Sequence, residues 1–202
     1  MLVTRNVQFI TSRASLAAAV VALGLLALPR GAARAQGAVP AGSGYSPSIG
    51  ASAGIVFPTG DLGNGVNSGY AIAVSVGLQQ ASDPLGFRLE GLFNEFGIKG
   101  QDAKYRMYAG TANLVYDLNA GTATAGVQST GGFYLVGGLG LYGTKVVVGT
   151  NGTGTQTDFG VNGGGGYRLP LSGFSVYFEA RYHAIFSSPG QQILPITVGV
   201  EF

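Results

Sequence analysis

Cysteine is absent from the 202 residues, histidine occurs once, and charged side chains make up only 10% of the chain. Without cysteine no disulfide can staple the fold, even in an oxidising compartment. One histidine and no thiol also leave no ligand set for a metal site, and no cofactor is expected. The few lysines and arginines form no basic stripe of the kind nucleic acid requires, so nucleic acid is excluded as a partner. Long hydrophobic runs are missing too: beyond the first thirty or so residues no apolar stretch approaches the roughly 20 residues of a spanning helix. Against these absences stand 36 glycines, 46% hydrophobic residues and a mean hydropathy of +0.31. That mixture is too apolar for a water-soluble surface of this size and too glycine-rich for a helical bundle. A membrane is the solvent it suits, and with no helix to cross it, strands must close into a barrel.

The N-terminus reads as a secretory signal, residues 1–35. Arg5 and Arg13 supply a positive start, Ala14 to Leu28 an apolar centre too short for a comfortable span, and "ARA" (Ala33 to Ala35) a small-x-small cleavage site before Gln36. An uncleaved anchor is the poorer reading, because the cleavage site follows at the expected distance. Removal takes away four of the 11 basic residues, leaving seven against nine acidic ones. The basic character of the whole chain thus belongs to its signal. Residues 36–45 form a small-residue lead-in without periodicity, and 46–202 form one domain.

From Ser48 onward apolar residues alternate with small or polar ones, the period of a strand with two different faces. "SIGASAGIVF" places Ile49, Ala51, Ala53, Ile55 and Phe57 on one face, and "YAIAVSVGLQ" places Tyr70, Ile72, Val74, Val76 and Leu78 there. Similar stretches at Phe87–Phe96, Arg106–Leu118, Phe133–Thr144, Asp158–Leu169, Phe174–Phe186 and Ile193–Phe202 bring the number to eight. The expected fold is all-β, an eight-stranded antiparallel up-and-down transmembrane β-barrel preceded by a cleaved signal peptide. Connections after strands one, three, five and seven are rich in Gly, Asn, Asp and Lys, and those after two and six are short and Pro/Gly-marked. Long loops on one side and short turns on the other suit a bacterial outer-membrane barrel with both termini in the periplasm. The connection after strand four, from Asn119 on, is longer than a periplasmic turn usually is. Asn151-Gly152 is expected at a hairpin tip.

The phase sorts the charges. A lysine or arginine on the lipid face costs about 2 to 4 kcal/mol at the midplane, and Arg88, Glu90, Glu179, Arg181 and His183 all alternate onto the face opposite Leu89, Phe178 and their like. Strand three lies across the lumen from strand seven. Eight strands leave an interior just wide enough for side chains to fill, so a plugged polar core is expected, with Arg88, Glu90, Glu179 and Arg181 as an ion-pair network and Asn113, Tyr177 and His183 as neighbours. The competing reading lines a narrow path for ions or small solutes with the same charges.

Other patterns carry less. "GVNGGGGYR" (Gly160 to Arg168) resembles a phosphate-cradling loop, but its glycines alternate in strand phase and no helix follows to present amides to an anion. His183 would need a nucleophile or carboxylate in reach for catalysis; Ser175 and Glu179 share its face, yet that face points away from lipid. The loop charges Asp61, Lys99, Asp102 and Lys104 read as a solvated rim.

These residues carry a resemblance. The signal, "GIVFPTGDL" after strand one, "RLE" in strand three, "EARYH" in strand seven and "PITVGVEF" at the end are together similar to the small outer-membrane β-barrel domain family, porin-like or OmpA-type eight-stranded proteins of Gram-negative bacteria. The resemblance spans Ser46 to Phe202. It implies that the alternating terminal segment Ile196, Val198, Val200 and Phe202 is the signal read by the barrel-assembly machinery after periplasmic chaperones deliver the chain, with Val200 where the family usually has an aromatic. Nothing resembling a peptidoglycan-binding domain follows Phe202, so anchoring to the cell wall is not expected. Activity is open within such a family: a structural or surface-interaction barrel without catalysis is preferred, a narrow porin-like channel and a lipid-modifying enzyme are the alternatives, and outer-membrane lipid is the expected partner of a monomer. A secreted soluble carrier is disfavoured by Ile72, Val74 and Val76, where it would show polar residues.

Overall fold

In a computed structural model, residues 45–80, 83–118, 131–149, 151–152 and 154–202 are described. The expected signal peptide, nearly all of the lead-in and most of the connection after strand four lie outside them. Eight strands form the wall: β1 (Tyr45–Thr59), β2 (Gly69–Gln80), β3 (Leu85–Gly97), β4 (Ala103–Asp117), β5 (Gly132–Val148), β6 (Gln156–Leu171), β7 (Phe174–Ile185) and β8 (Gln191–Glu201). Each pairs antiparallel with the next, and β1 pairs with β8, so the sheet closes on itself and leaves no edge. The terminal residue completes the seam, with Ile49 and Phe202 exchanging backbone hydrogen bonds at 3.0 and 2.9 Å.

The alternation seen in the sequence is the alternation of the wall. Along β7, Ser175, Tyr177, Glu179, Arg181, His183 and Ile185 are buried while Phe178, Ala180 and Tyr182 are exposed. Val74, Leu114, Leu135, Leu139, Leu141 and Phe178 are each more than half exposed to the exterior, an arrangement that only an apolar solvent favours. Val200 also has outward register, opposite Ala51 and Val176, although only 8% of it is exposed. From Leu85 to Glu95 on β3 is ten residue steps. At about 3.3 Å per residue and about 40° of tilt they span about 25 Å along the barrel axis, the height of an outer-membrane apolar band.

Among the connections described in full, one end carries the longer closures. After β1, Gly60 turns the chain with φ 58°, and a Cβ there would strike the Gln192 side chain. The turn leads into a short helix, α1 (Gly60–Gly65). Val66 then bridges Ile98, and Lys99 donates from its backbone to Gly65 and from Nζ to the Gly63 carbonyl at 2.6 Å, so the first two loops are tied together. The other end, where the chain termini of the barrel lie, includes the tight turn at Ser172 and Gly173. Two expectations shift. Val148 pairs with Asn151, so the hairpin tip precedes Asn151 rather than falling on Asn151-Gly152. Pro195, whose missing amide donor would lead one to expect it at the strand's outer rim, lies four residues inside β8, and the β7–β8 ladder is interrupted beside it, between the Ala180–Ile196 and His183–Ile193 pairs. A missing amide donor explains that gap.

Candidate functional site

The lumen is filled in three layers. At its centre Arg88 and Glu90 reach from β3 to Glu179 and Arg181 on β7, strands that do not touch in the wall. Arg88 Nη2 lies 2.6 Å from Glu179 Oε2, and Arg181 Nη2 lies 2.6 Å from Glu90 Oε1 and 2.7 Å from Glu179 Oε1; Arg88 Nε is 3.7 Å from Glu90 Oε2. Two cations and two anions therefore alternate in a closed quartet, each residue no more than 6% exposed. Pairing of this kind is what allows four charges to be buried at all. Tyr134 donates from its hydroxyl to Glu179 Oε2 at 2.8 Å. Space for these long side chains comes from inward glycines: a Cβ at Gly166 would collide with the Tyr134 ring, and one at Gly199 with the Tyr177 ring.

Of the expected neighbours, Asn113 donates to the Arg88 carbonyl at 3.3 Å and to Thr111 Oγ1 at 2.9 Å, so it braces the backbone beneath the quartet. Tyr177 packs in an apolar cluster with Val115, Tyr134 and Val136. His183, fully buried, bonds through Nδ1 to the Tyr142 hydroxyl at 2.8 Å. Ser175 is eight residues away on the same strand, about 26 Å at strand rise, and cannot serve it as a nucleophile. Among the described residues no group of three or more His, Cys, Asp or Glu is placed to hold a metal ion.

Two parts of the lumen escaped the sequence reading. Toward the termini, Arg168 Nη1 bonds Asp117 at 3.0 and 3.2 Å, its Nε lies 3.2 Å from Glu201 Oε2, Ser48 donates to Glu201 at 2.7 Å, and Gln79 also bonds Asp117. Alternation places Asp117, Arg168 and Glu201 on the inner face, but their distance in the chain hid the pairing. Toward the loops the lumen is apolar instead of polar: Val56, Phe96, Met107, Tyr142, Ile185 and Ile193 pack with Val66, and Leu62 of α1 lies over them. The apolar inward residues at the loop end of β1, β3, β4, β7 and β8 were the available signal.

One rim charge also lies elsewhere than expected. β4 begins at Ala103, so Lys104 is a strand residue on the outer face, 2.6 Å from Glu95, and not part of a solvated loop. Arg106 lies 2.7 Å from the same carboxylate.

Ile196, Val198 and Val200 alternate on the outer face of β8, and Phe202 follows it, paired to Ile49. The Phe202 ring lies 5.9 Å from that of Phe174, at the barrel end opposite the α1 cap.

Residues 18–202 match the model of the outer membrane protein β-barrel domain. Among solved structures, the neisserial surface protein A (NspA) is similar with a TM-score of 0.64 and 21% identity over 79% of this chain and 98% of that one. Ail, the attachment invasion locus protein of Yersinia pestis, gives 0.47 and 16% over 78% and 97%, and the N-terminal β-barrel domain of Pseudomonas aeruginosa OprF gives 0.44 and 16% over 77% and 97%. No curated protein matches in sequence.

Proposed function

Because the chain belongs to the outer membrane protein β-barrel domain family, we propose that it is an integral outer-membrane barrel with a structural or surface-interaction role, a sealed lumen and no catalysis. The observation that carries this reading is the quartet of Arg88, Glu90, Glu179 and Arg181 bridging the full width of the lumen. An ion passing through would have to open such buried pairs, and breaking one costs about 3 to 5 kcal/mol. The apolar layer beneath α1 is a second barrier. Both termini lie in the periplasm and the tied loops face outward, where they offer a firm surface. The chain works as a monomer, and Ile196, Val198, Val200 and Phe202 are its address to the assembly machinery.

Planar-bilayer recording on refolded protein tests the seal. Neither the wild type nor Arg181→Ala is expected to show a steady conductance; a steady wild-type conductance that Arg181→Ala abolishes or retunes refutes the reading in favour of a narrow channel. The absence of catalysis is supported by a histidine that faces the lumen and bonds only to a tyrosine among the described hydrogen bonds. Overexpression should leave lipid A and phospholipid composition unchanged, and an alteration abolished by His183→Ala would make the protein an enzyme.

A further inference from the structure

Among the described residues the eight strands place only four charged side chains on the outer face, and all four lie together: Glu95 on β3, Lys104 and Arg106 on β4 and Lys145 on β5. Tyr70, Glu95, Arg106 and Lys145 occupy one row of cross-strand partners. A girdle that merely positioned the barrel would run around its circumference; this one is confined to three neighbouring strands. Glu95, 8% exposed, draws in Lys104 at 2.6 Å and Arg106 at 2.7 Å, and Lys145 Nζ stands 5.2 Å from the centre of the Tyr108 ring. Three cations meet one carboxylate, which leaves an excess of two positive charges. The Lys104 side chain remains 56% exposed.

Position narrows the partner. The row lies at the loop-side border of the apolar band. Directly inside it come Phe93 and Tyr108, with ring centres 5.1 Å apart. Further in, the wall has a shallow hollow of about 750 Å³, lined in part by Val74, Leu89, Gly91, Gly110, Ala112 and Leu141. Cations at the interface over an apolar depression match a molecule with an anionic head and an acyl tail. We infer that the Lys104, Arg106 and Lys145 row binds the phosphate of an outer-leaflet lipid, whose acyl chain lies in the hollow below. This rests on the proposed orientation, with the loop end outside.

The test uses the mature chain refolded into phosphatidylcholine nanodiscs doped with bis-phosphorylated lipid A or with its dephosphorylated form. Lipid retained after transfer to detergent is counted by native mass spectrometry. Phosphorylated lipid should be retained selectively, inorganic phosphate should not displace it, and K104Q/R106Q/K145Q should weaken retention about a hundredfold, several-fold for each cation near the surface. Lys99→Gln, in the loop, should change nothing. Should the triple variant lose its heat-modifiable gel shift, Lys145→Gln alone should still give a several-fold loss. Equal retention by the folded variants, equal retention of dephosphorylated lipid, or displacement by inorganic phosphate would overturn the inference. Failure of the outer-membrane reading looks different, as failure to enter any nanodisc.

Discussion

Gly164 and Gly110 show how much one methyl group depends on which face of the wall it enters. Gly164 faces inward on β6, and a Cβ there would collide with the Ala180 carbonyl and the Arg181 Cα, backbone atoms that cannot swing away; at Gly110, on the outer face, nothing lies within 4 Å. Gly164→Ala should therefore cost about 1 to 3 kcal/mol of stability by overpacking, while Gly110→Ala should be tolerated, as urea unfolding midpoints in lipid vesicles would show. The same measurement separates pairing from burial in the quartet. Arg181→Met leaves Glu90 and Glu179 each short of a cation and should cost about 3 to 5 kcal/mol, whereas replacing all four charges by apolar residues of similar volume should cost less. The inward phase of these residues was legible from alternation with leucine and phenylalanine. Their contacts were legible only because strands three and seven of an eight-stranded barrel face each other. His183 illustrates the limit: its partner Tyr142 sits on β5, and no spacing in the chain announces that meeting.

At the scale of elements, β8 has two duties, closing the seam and ending the chain. Phe202 bonds to Ile49 across that seam, and Val200 is outward yet nearly covered. Val200→Asp or deletion of Phe202 should reduce folded protein in the outer-membrane fraction far more than Asp102→Ala in a loop, and normal insertion of both would refute the terminal-signal reading. Strand existence and facing were plain in the sequence, but strand ends were not. β4 starts at Ala103 and β5 runs to Val148, because backbone pairing continues past the point where lipid enforces alternation. The charges of Lys104 and Lys145 made these extensions look like loops. They are wall residues at the edge of the apolar band, where a charge costs little.

For the molecule as a whole, the sealed lumen we propose rests on two layers in series, the α1-capped apolar mouth and the ion quartet. Replacing α1 with a Gly-Ser segment should open the mouth without conductance, and Arg88→Ala/Arg181→Ala should likewise stay silent behind the intact cap. The combination should produce steady conductance steps in planar bilayers; steps from either change alone would mean that only one layer seals the barrel.

Amphipathic alternation by itself determined that this chain is an outer-membrane barrel and which residues face inward, because a wall with lipid on one side and a narrow lumen on the other repeats its demand every second residue. Which inward residues meet was decided by closure. Folding the sheet around brings Arg88 to Glu179, residues 91 positions apart, joins Asp117, Arg168 and Glu201, and packs Phe96 and Met107 under α1. Outside, only the register of β3, β4 and β5 collects Glu95, Lys104, Arg106 and Lys145 into one patch. Alternation is a local property, set by neighbours in the chain. Charge pairing and core packing are set by neighbours in space.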